Sequence, residues 1–554
     1  LIWRNENKDQ AEVLDDMNQI RDHDLAISAM WLDRPFDTFV NNFDFDPKRF
    51  PAPDEMVAQV QALGMRMAMW STPYAEAGST HHDDIVAKGW YVDLPAIAKG
   101  IVKWGGPIDL THPDAYAMWR DAIGTVAKRG IEGWKLDFAE DVQIGFGKLR
   151  LRYGFHDGSD ERTMHHGYAL PYHQVYADNL PAAGGFLLSR AGTYGDQAIT
   201  TMIWPGDLDA NLMAHGQCDD DACHVGGLPA SVAAMLGLAA SGYPLYAADT
   251  GGYRHTRPSK HTFMRWLAQT GLSAVQQIGG GKQSNPWDFT AYEGSQFDAE
   301  VLDAAVYYTR LHSRLFPYIY SAALRAQAHE PGPIRPFGLV HPELVAVAGH
   351  DAVAQSQYYL GEQLLVAPVV DVKPGREVLL PPGVWLDWWT HKPVPGDPAK
   401  ARRLQLTVPL SRIPLWLLAG GLVPMLRPTI DTLAPATAPG VDSFANDVGR
   451  LHVLVGPGAS GEVAVYDGSV VALTDGPDAA GLKVKIEPGS EFNKGSELEI
   501  WMSAPAAVRM DGESLAAGAP GACQSCWWLD PADATLHIRL PAGAHEVAID
   551  RQLP

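Results

Sequence analysis

Apolar residues at Val13, Leu14, Met17 and Ile20 recur at helical spacing and predict a helix over 9–23, between a strand stub at Leu1, Ile2 and Trp3 and a strand over 26–32. The same alternation continues along the chain. A helix over 54–63, stopped by Gly64, leads into a strand over 65–70; a helix over 113–129, closed by Gly130, leads into a strand that starts near Ile131 and gives out at Asp137. Further strands are predicted over 185–189, 199–203, 243–247 and 272–276. The nearly uncharged run 231–248 is broken by Gly242 and Pro244. A membrane span needs about 20 uninterrupted apolar residues, so this run reads as a buried helix followed by a strand. More than four strand–helix repeats predict an α/β fold, a closed (β/α)8 TIM barrel with the parallel sheet inside and helices outside. A long helix over 301–328, with Tyr307, Leu311, Leu315 and Tyr318 on its apolar face, ends this unit, and Pro331-Gly332-Pro333 stops it.

From Ile334 onward the texture changes. Short apolar runs at 364–370, 378–380 and 404–410 alternate with Pro and Gly turns, and a second block with strands at 497–502 and 535–540 repeats that writing. Two C-terminal β-sandwich domains are expected. The chain then divides into a catalytic barrel over 1–330, a proximal sandwich over 331–421 and a distal sandwich over 422–554. Insertions follow barrel strands 3 and 4, the second over 145–167. His165-His166 in that insertion have no third ligand at helical spacing, and a solvated loop is the expectation rather than a metal site.

Length and charge bear on partners. At 554 residues the chain can bury a large core in about three units. Its net charge of −22 argues against nucleic acid, which needs a basic footprint, and against acidic membrane surfaces. Neutral substrates suit it better, and its 17 tryptophans and 19 tyrosines supply faces on which sugar rings stack, although most serve the core. The four cysteines form two local pairs, Cys218 with Cys223 and Cys523 with Cys526. Two small disulfides, and so a periplasmic or secreted location, are the preferred reading; a joined zinc site, free thiols and a cytoplasmic location stay open. No charged n-region and apolar h-region stand at Leu1, so no signal peptide is expected in this sequence, which reads as a processed or truncated product.

The chemistry centres on Gly133-Trp134-Lys135-Leu136-Asp137-Phe138-Ala139-Glu140-Asp141. A parallel barrel presents catalytic groups at the carboxyl ends of its strands, and Asp137 stands at such an end. A strand that simply runs out into solvated acids would look the same. A second acidic turn, Ile203-Trp204-Pro205-Gly206-Asp207, also follows an apolar strand. Two acids on one rim suit glycoside hydrolysis, in which one group protonates the leaving oxygen and the other meets the anomeric carbon. A separation of roughly 5 to 5.5 Å would mean retention through a covalent glycosyl ester.

Lys135-Leu136-Asp137-Phe138-Ala139-Glu140 resembles the Lys-x-Asp-Phe-x-Glu nucleophile motif of glycoside hydrolase family 31, in particular its α-xylosidase-like branch, and Trp204-Pro205-Gly206-Asp207 resembles that family's acid/base turn. Asp33, Trp70, Arg190 and Asp249-Thr250-Gly251-Gly252 match further family positions in order, as do Arg265-Trp266, Pro286-Trp287 and Leu380-Pro381-Pro382-Gly383-Val384-Trp385. The resemblance implies Asp137 as nucleophile and Asp207 as general acid/base of a retaining, exo-acting α-glycosidase. It also implies that Asp33, Trp70, Lys135, Arg190, Trp204 and Asp249 bind substrate, with no metal and no organic cofactor. Asp137 should be ionised beside Lys135, and Asp207 should hold a proton until the leaving group departs.

Three departures stand out. The family's Arg-x-His after the eighth strand is replaced by Gln277-Ile278-Gly279-Gly280-Gly281, so a sugar-binding histidine is missing. Asp33 is followed by Arg34-Pro35, where Arg34 meets either an anionic or ring substituent or a surface acid. The family's N-terminal β-sandwich is not part of this sequence, which begins at the first barrel strand. A transglycosidase of the same family, a related α-galactosidase family and a non-catalytic carbohydrate-binding barrel are the alternatives.

Overall fold

The computed structural model of the chain describes residues 1–94, 104, 106–139, 152–219, 223–254, 257–281, 284–289, 296–475, 481–521, 523–530 and 532–551, and the backbone of 145–146 and 149–150. Eight parallel strands form the first unit: β1 (Ile2–Arg4), β2 (Ala29–Leu32), β3 (Arg66–Ser71), β4 (Gly133–Leu136), β5 (Phe186–Ser189), β6 (Met202–Ile203), β7 (Asp249–Thr250) and β8 (Gln277–Ile278). Their order is β6-β5-β4-β3-β2-β1-β8-β7. The gap between β6 and β7 is bridged at Ile203 and Tyr246, where Ile203 N donates to Leu245 O at 3.1 Å and Ala247 N donates to Ile203 O at 2.9 Å. The sheet therefore closes into the TIM barrel.

Strand periodicity sorts the side chains into two shells. Trp3, Trp31, Ala68, Trp70, Leu188, Met202, Trp204 and Ala247 share one cluster inside the barrel. The alternate residues Met30, Leu32, Met67, Met69, Trp134, Leu136 and Leu187 join the helices in the larger outer core. The helices start where local chemistry satisfies their free amides. Asp9 caps Gln10–Asp22 by accepting from Glu12 N, and Ser79 caps Thr80–Lys88 by accepting from His82 N. Pro53 and Pro113 occupy the first turns of Pro53–Ala62 and Pro113–Ala127, where a missing N–H costs nothing.

Five expectations are corrected. The sixth strand is confined to Met202–Ile203, because Asp196–Ala198 forms a 3-10 turn whose Asp196 carbonyl accepts from Ile199 N and Thr200 N. The seventh strand is Asp249–Thr250, not 243–247, where Tyr246 makes an isolated bridge to Ile203. The eighth strand is Gln277–Ile278, not 272–276, because Ser273 bonds the carbonyls of Thr270 and Val275 and holds that stretch in a turn. The helix expected over 301–328 is two, Ala299–Arg314 and Phe316–Gln327: Pro317 has no N–H to continue the first ladder. Tyr307, expected on the apolar face, is 39% exposed, and Tyr308 takes the buried position. Finally, His165 and His166 lie in the helix Glu161–Gly167, capped by Asp160, and not in a loop.

Beyond the barrel, a five-stranded sheet ordered Ile334–Pro336, Tyr358–Leu360, Leu364–Val366, Leu415–Leu418, Trp385–Asp387 is accompanied by the hairpin pair Gly375–Leu380 and Arg402–Thr407. Buried Arg265 on the barrel helix Lys260–Thr270 ties this layer down by donating to the carbonyls of Val408, Pro409 and Arg412 at 2.8, 2.8 and 3.2 Å. A five- and a six-stranded sheet follow and enclose a separate apolar core that includes Val453, Val484, Leu498, Ile538 and Val547. Within it Leu451–Val455 pairs in parallel with Ser496–Trp501. Arg314 reaches from the barrel to Glu499 of this sandwich at 2.5 Å. Cys218–Cys223 and Cys523–Cys526 are disulfide-paired. Among the described residues no helix is long and apolar enough to cross a membrane, and no group of three or more potential metal ligands occurs.

Candidate active site

The two-residue repeat of the strands carries the inner shell out onto the rim. Trp31 points into the barrel, and so does Asp33 two residues on; Lys135 is followed in the same way by Asp137, Leu188 by Arg190, and Ala247 by Asp249. Each of these polar side chains therefore leaves the carboxyl end of a strand on the barrel's inner face, where a (β/α)8 enzyme builds its site.

Asp137 is held by three donors. Trp70 Nε1 donates to Oδ2 at 3.0 Å, and Phe138 N and Arg190 Nη1 donate to Oδ1 at 2.9 and 2.8 Å. The backbone pays locally for this placement, since Phe138 and Ala139 have φ of 63° and 80°, a region that residues with a Cβ rarely enter. The same Arg190 Nη1 lies 3.5 Å from Asp207 Oδ1. One nitrogen 2.8 Å from one carboxylate and 3.5 Å from the other limits those two oxygens to the sum of the distances, about 6.3 Å. Gly206 (φ 79°) makes room for this, because a Cβ there would meet Arg190 Nε at 2.9 Å. The two acids differ in exposure, the Asp137 side chain at 12% and that of Asp207 at 37%.

Lys135 forms the floor. Its ammonium sits 3.3 Å from Asp33 Oδ2, within a cage of Trp3, Trp31 and Trp204 whose ring centroids lie 4.3, 5.3 and 5.2 Å away. Burial pulls this ammonium down, but Asp33, Asp137 and Asp249 outweigh it and raise its pKa. Burial also raises both Asp33 and Asp137, yet the outcomes differ. Asp137 has Lys135 and Arg190 together, plus the Trp70 hydrogen bond, and ends below the usual carboxylate range. Asp33, with Lys135 and the Trp31 N–H at 3.1 Å, stays above it.

Asp249 is pushed up to about 7, first by burial and then by Asp207 and Asp33, against the pull of Lys135 and the Gln277 hydrogen bond. Gln277 Nε2 donates to Asp249 Oδ1 at 2.5 Å. An acid whose folded pKa lies above its unfolded one of 3.8 stabilises fully below that value, and this contribution is lost as pH rises through about 7. Asp249→Asn keeps the oxygen that Gln277 bonds but cannot ionise. It is expected to gain stability relative to the wild type by about 3 kcal/mol between pH 4 and pH 7.5. Urea unfolding of both proteins at the two pH values checks this, and a constant difference would overturn it.

The structure thus brings Asp33, Trp70, Lys135, Asp137, Arg190, Trp204, Asp207 and Asp249 to one rim and floor. Glu140 and Asp141 lie outside the described residues. Three contributors escaped the sequence reading. Trp3 and Trp31 were legible as inward strand positions, Trp31 by its two-residue offset from Asp33. Gln277 was visible only as a departure, because the eighth strand was set too early. With that strand at Gln277–Ile278 its side chain points to Asp249, while Gly279 and Gly281 close against the carbonyls of Trp3 and Tyr253, which a Cβ would meet at 2.3 and 2.2 Å.

Comparison with known proteins gives one consistent result. The Glycosyl hydrolases family 31 TIM-barrel domain matches residues 2–322, and the Glycosyl hydrolase family 31 C-terminal domain matches residues 332–423. A sulfoquinovosidase of Escherichia coli is 26% identical over 391 residues, 68% of this chain and 53% of that protein. An isomaltosyltransferase of Sporosarcina globispora is 23% identical over 532 residues, 90% of this chain and 45% of that protein. The chain thus spans about half the length of these relatives. Among solved structures, a Flavobacterium johnsoniae dextranase of the same family, a mutant complexed with isomaltotriose, superposes with a TM-score of 0.79 at 18% identity, covering 99% of this chain and 70% of that one. With its barrel and the following domain both matched in sequence, and its closed eight-stranded sheet in place, the chain belongs to glycoside hydrolase family 31.

Proposed function

We propose that the chain is the catalytic portion of a retaining, exo-acting α-glycoside hydrolase, with Asp137 as nucleophile and Asp207 as general acid/base. The observation that carries this is the shared Arg190 nitrogen. Its ceiling of about 6.3 Å on the Asp137 Oδ1–Asp207 Oδ1 distance lies nearer the roughly 5 to 5.5 Å of a retaining pair than the middle of the roughly 6.5 to 9.5 Å range of an inverting one. The lowered pKa of Asp137 keeps it ionised, as a nucleophile requires. Its Oδ2 carries one donor where Oδ1 carries two, so Oδ2 is the freer oxygen to attack.

In the first step Oδ2 bonds to the anomeric carbon as the glycosidic C–O bond breaks, and Asp207 delivers its proton to the departing oxygen. In the second, water attacks that carbon, Asp207 takes the water's proton, and the ester bond breaks to return Asp137 as carboxylate. Asp33, Lys135, Trp204 and Asp249 hold the sugar's hydroxyls and ring face. The substrate is an α-linked carbohydrate, and the disulfides favour an oxidising compartment, periplasmic or extracellular.

A second reading passes the glycosyl group to another sugar instead of water, and similarity to an isomaltosyltransferase along 90% of the chain favours it. A barrel that only bound sugar would not need Asp137, Asp207 and Arg190 drawn together. The test is a panel of 4-nitrophenyl α-glycosides of glucose, xylose, galactose, N-acetylgalactosamine and mannose, with NMR of the first-formed sugar. Release of one sugar as its α-anomer is expected. A β-anomer would overturn retention, and transfer products in place of free sugar would favour the second reading.

A further inference from the structure

Each acid nearest the scissile position has its own counter-charge or donor: Asp33 has Lys135, Asp137 and Asp207 share Arg190, and Asp249 has Gln277. Among the described residues, one cation on the same rim has none. Arg34 follows Asp33 directly and is half-buried, and its guanidinium lies 5.8 Å from the Trp70 ring centroid and 5.5 Å from that of Trp104. Its side chain meets no hydrogen-bond acceptor and no carboxylate among the described residues, although acids outnumber Lys and Arg by 65 to 43 in the chain.

The backbone beneath it is pinned. Arg34 N donates to Asp33 Oδ1 at 3.0 Å, the Arg49 guanidinium donates to the carbonyls of Pro35 and Asn7, and Phe36 is buried against Phe45. Two tryptophans then restrict the side chain itself, and Trp70 is the residue that donates to Asp137. Five N–H donors with no acceptor among the described residues are thus preorganised about one indole ring away from the proposed nucleophile. Aromatic faces satisfy a guanidinium's charge in part but leave its in-plane N–H groups free, and those match the planar fork of an oxyanion.

We infer that Arg34 is a specificity-determining residue, and that the sugar bound against Asp33 and Asp137 carries an oxyanion substituent, a carboxylate or a sulfate or sulfonate, which this guanidinium pairs. The inference rests on the glycosidase reading for the identity of the ligand as a sugar, but its test needs no turnover. A charge-assisted hydrogen-bonded pair contributes about 1.5–3 kcal/mol, or roughly 10- to 100-fold in affinity.

The experiment is titration calorimetry of the wild type, Arg34→Gln and Arg34→Lys with three probes: methyl α-glucoside, methyl α-glucuronide and methyl α-glucoside 6-sulfate. The readout is the ratio of anionic to neutral affinity. At least one anion is expected to bind the wild type about tenfold or more tighter than the neutral probe. That ratio should collapse to about one in Arg34→Gln and survive in part in Arg34→Lys, which keeps a point charge but loses the fork. Which probe responds separates a carboxylate from a sulfate. Ratios of one or less for both anions, or a preference that Arg34→Gln leaves intact, would overturn the inference. Thermal melts of both variants guard against misfolding. Loss of anion preference with retained α-glycoside hydrolysis would leave the proposed function standing, and hydrolysis by Asp137→Ala tests that reading separately.

Discussion

Asp137→Ala is expected to lower kcat/KM by at least 10⁴-fold on every α-glycoside the wild type hydrolyses, about 5 kcal/mol of transition-state stabilisation, while the thermal transition stays within a few degrees. The size follows from what the carboxylate does in the proposed mechanism. It supplies the only bond that replaces the departing oxygen, and without it the developing cation on the anomeric carbon faces Arg190 and Trp70 Nε1, two donors that repel or ignore it. The fold should tolerate the change because strand pairing of β4 with β3 and β5 runs through Gly133 to Leu136 and does not use the Asp137 side chain. Strain should even ease: with no carboxylate to accept from Phe138 N, nothing on that side chain holds the positive φ of Phe138 and Ala139. Kinetics on the best substrate of the glycoside panel, together with a melting curve, check this. A variant within tenfold of wild type would remove Asp137 from the nucleophile's role.

Asp207→Ala is expected to divide substrates by their leaving groups. An alkyl or sugar oxygen departs poorly without a proton, so kcat/KM on a disaccharide should fall about 10³-fold or more. Glycosyl fluorides and 4-nitrophenyl glycosides leave unaided, and their first step should be largely spared. The glycosyl ester then accumulates, because no base remains to activate water. Azide needs no such help: it attacks the anomeric carbon, the Asp137 ester bond breaks, and an α-glycosyl azide should appear with recovered turnover. In the proposed mechanism Asp207 serves both steps; it is more exposed than Asp137 yet within reach of the same guanidinium. Equal loss on all leaving groups, with no azide product, would count against the role.

Much of the fold was legible because its signals are local. Helix starts at Asp9, Pro53 and Pro113 are written in one or two residues, and the alternation of strand and helix follows from side-chain period alone. The break at Leu315 was also written, in Pro317, but the apolar spacing on either side of it runs on and hides the interruption. The late start of β8 was not, since Leu272 to Gln276 is as apolar as a strand and only its turn hydrogen bonds show otherwise.

The site divides in the same way. The sequence by itself determined which acids stand at strand ends, because a residue two places beyond an inward strand position must also face inward; this held for Asp33 and Asp137, while Asp249 faces inward from within β7. Tertiary structure alone decided what each acid is. Asp33 and Asp137 are the same residue type in the same kind of place and are buried together, yet their pKa values move in opposite directions. The difference lies in Arg190, 53 residues from Asp137, and in Trp70, 67 residues away, which barrel closure brings to one carboxylate and not to the other. Coulomb and hydrogen-bond energies act over a few ångströms of space, and separation along the chain carries no record of them.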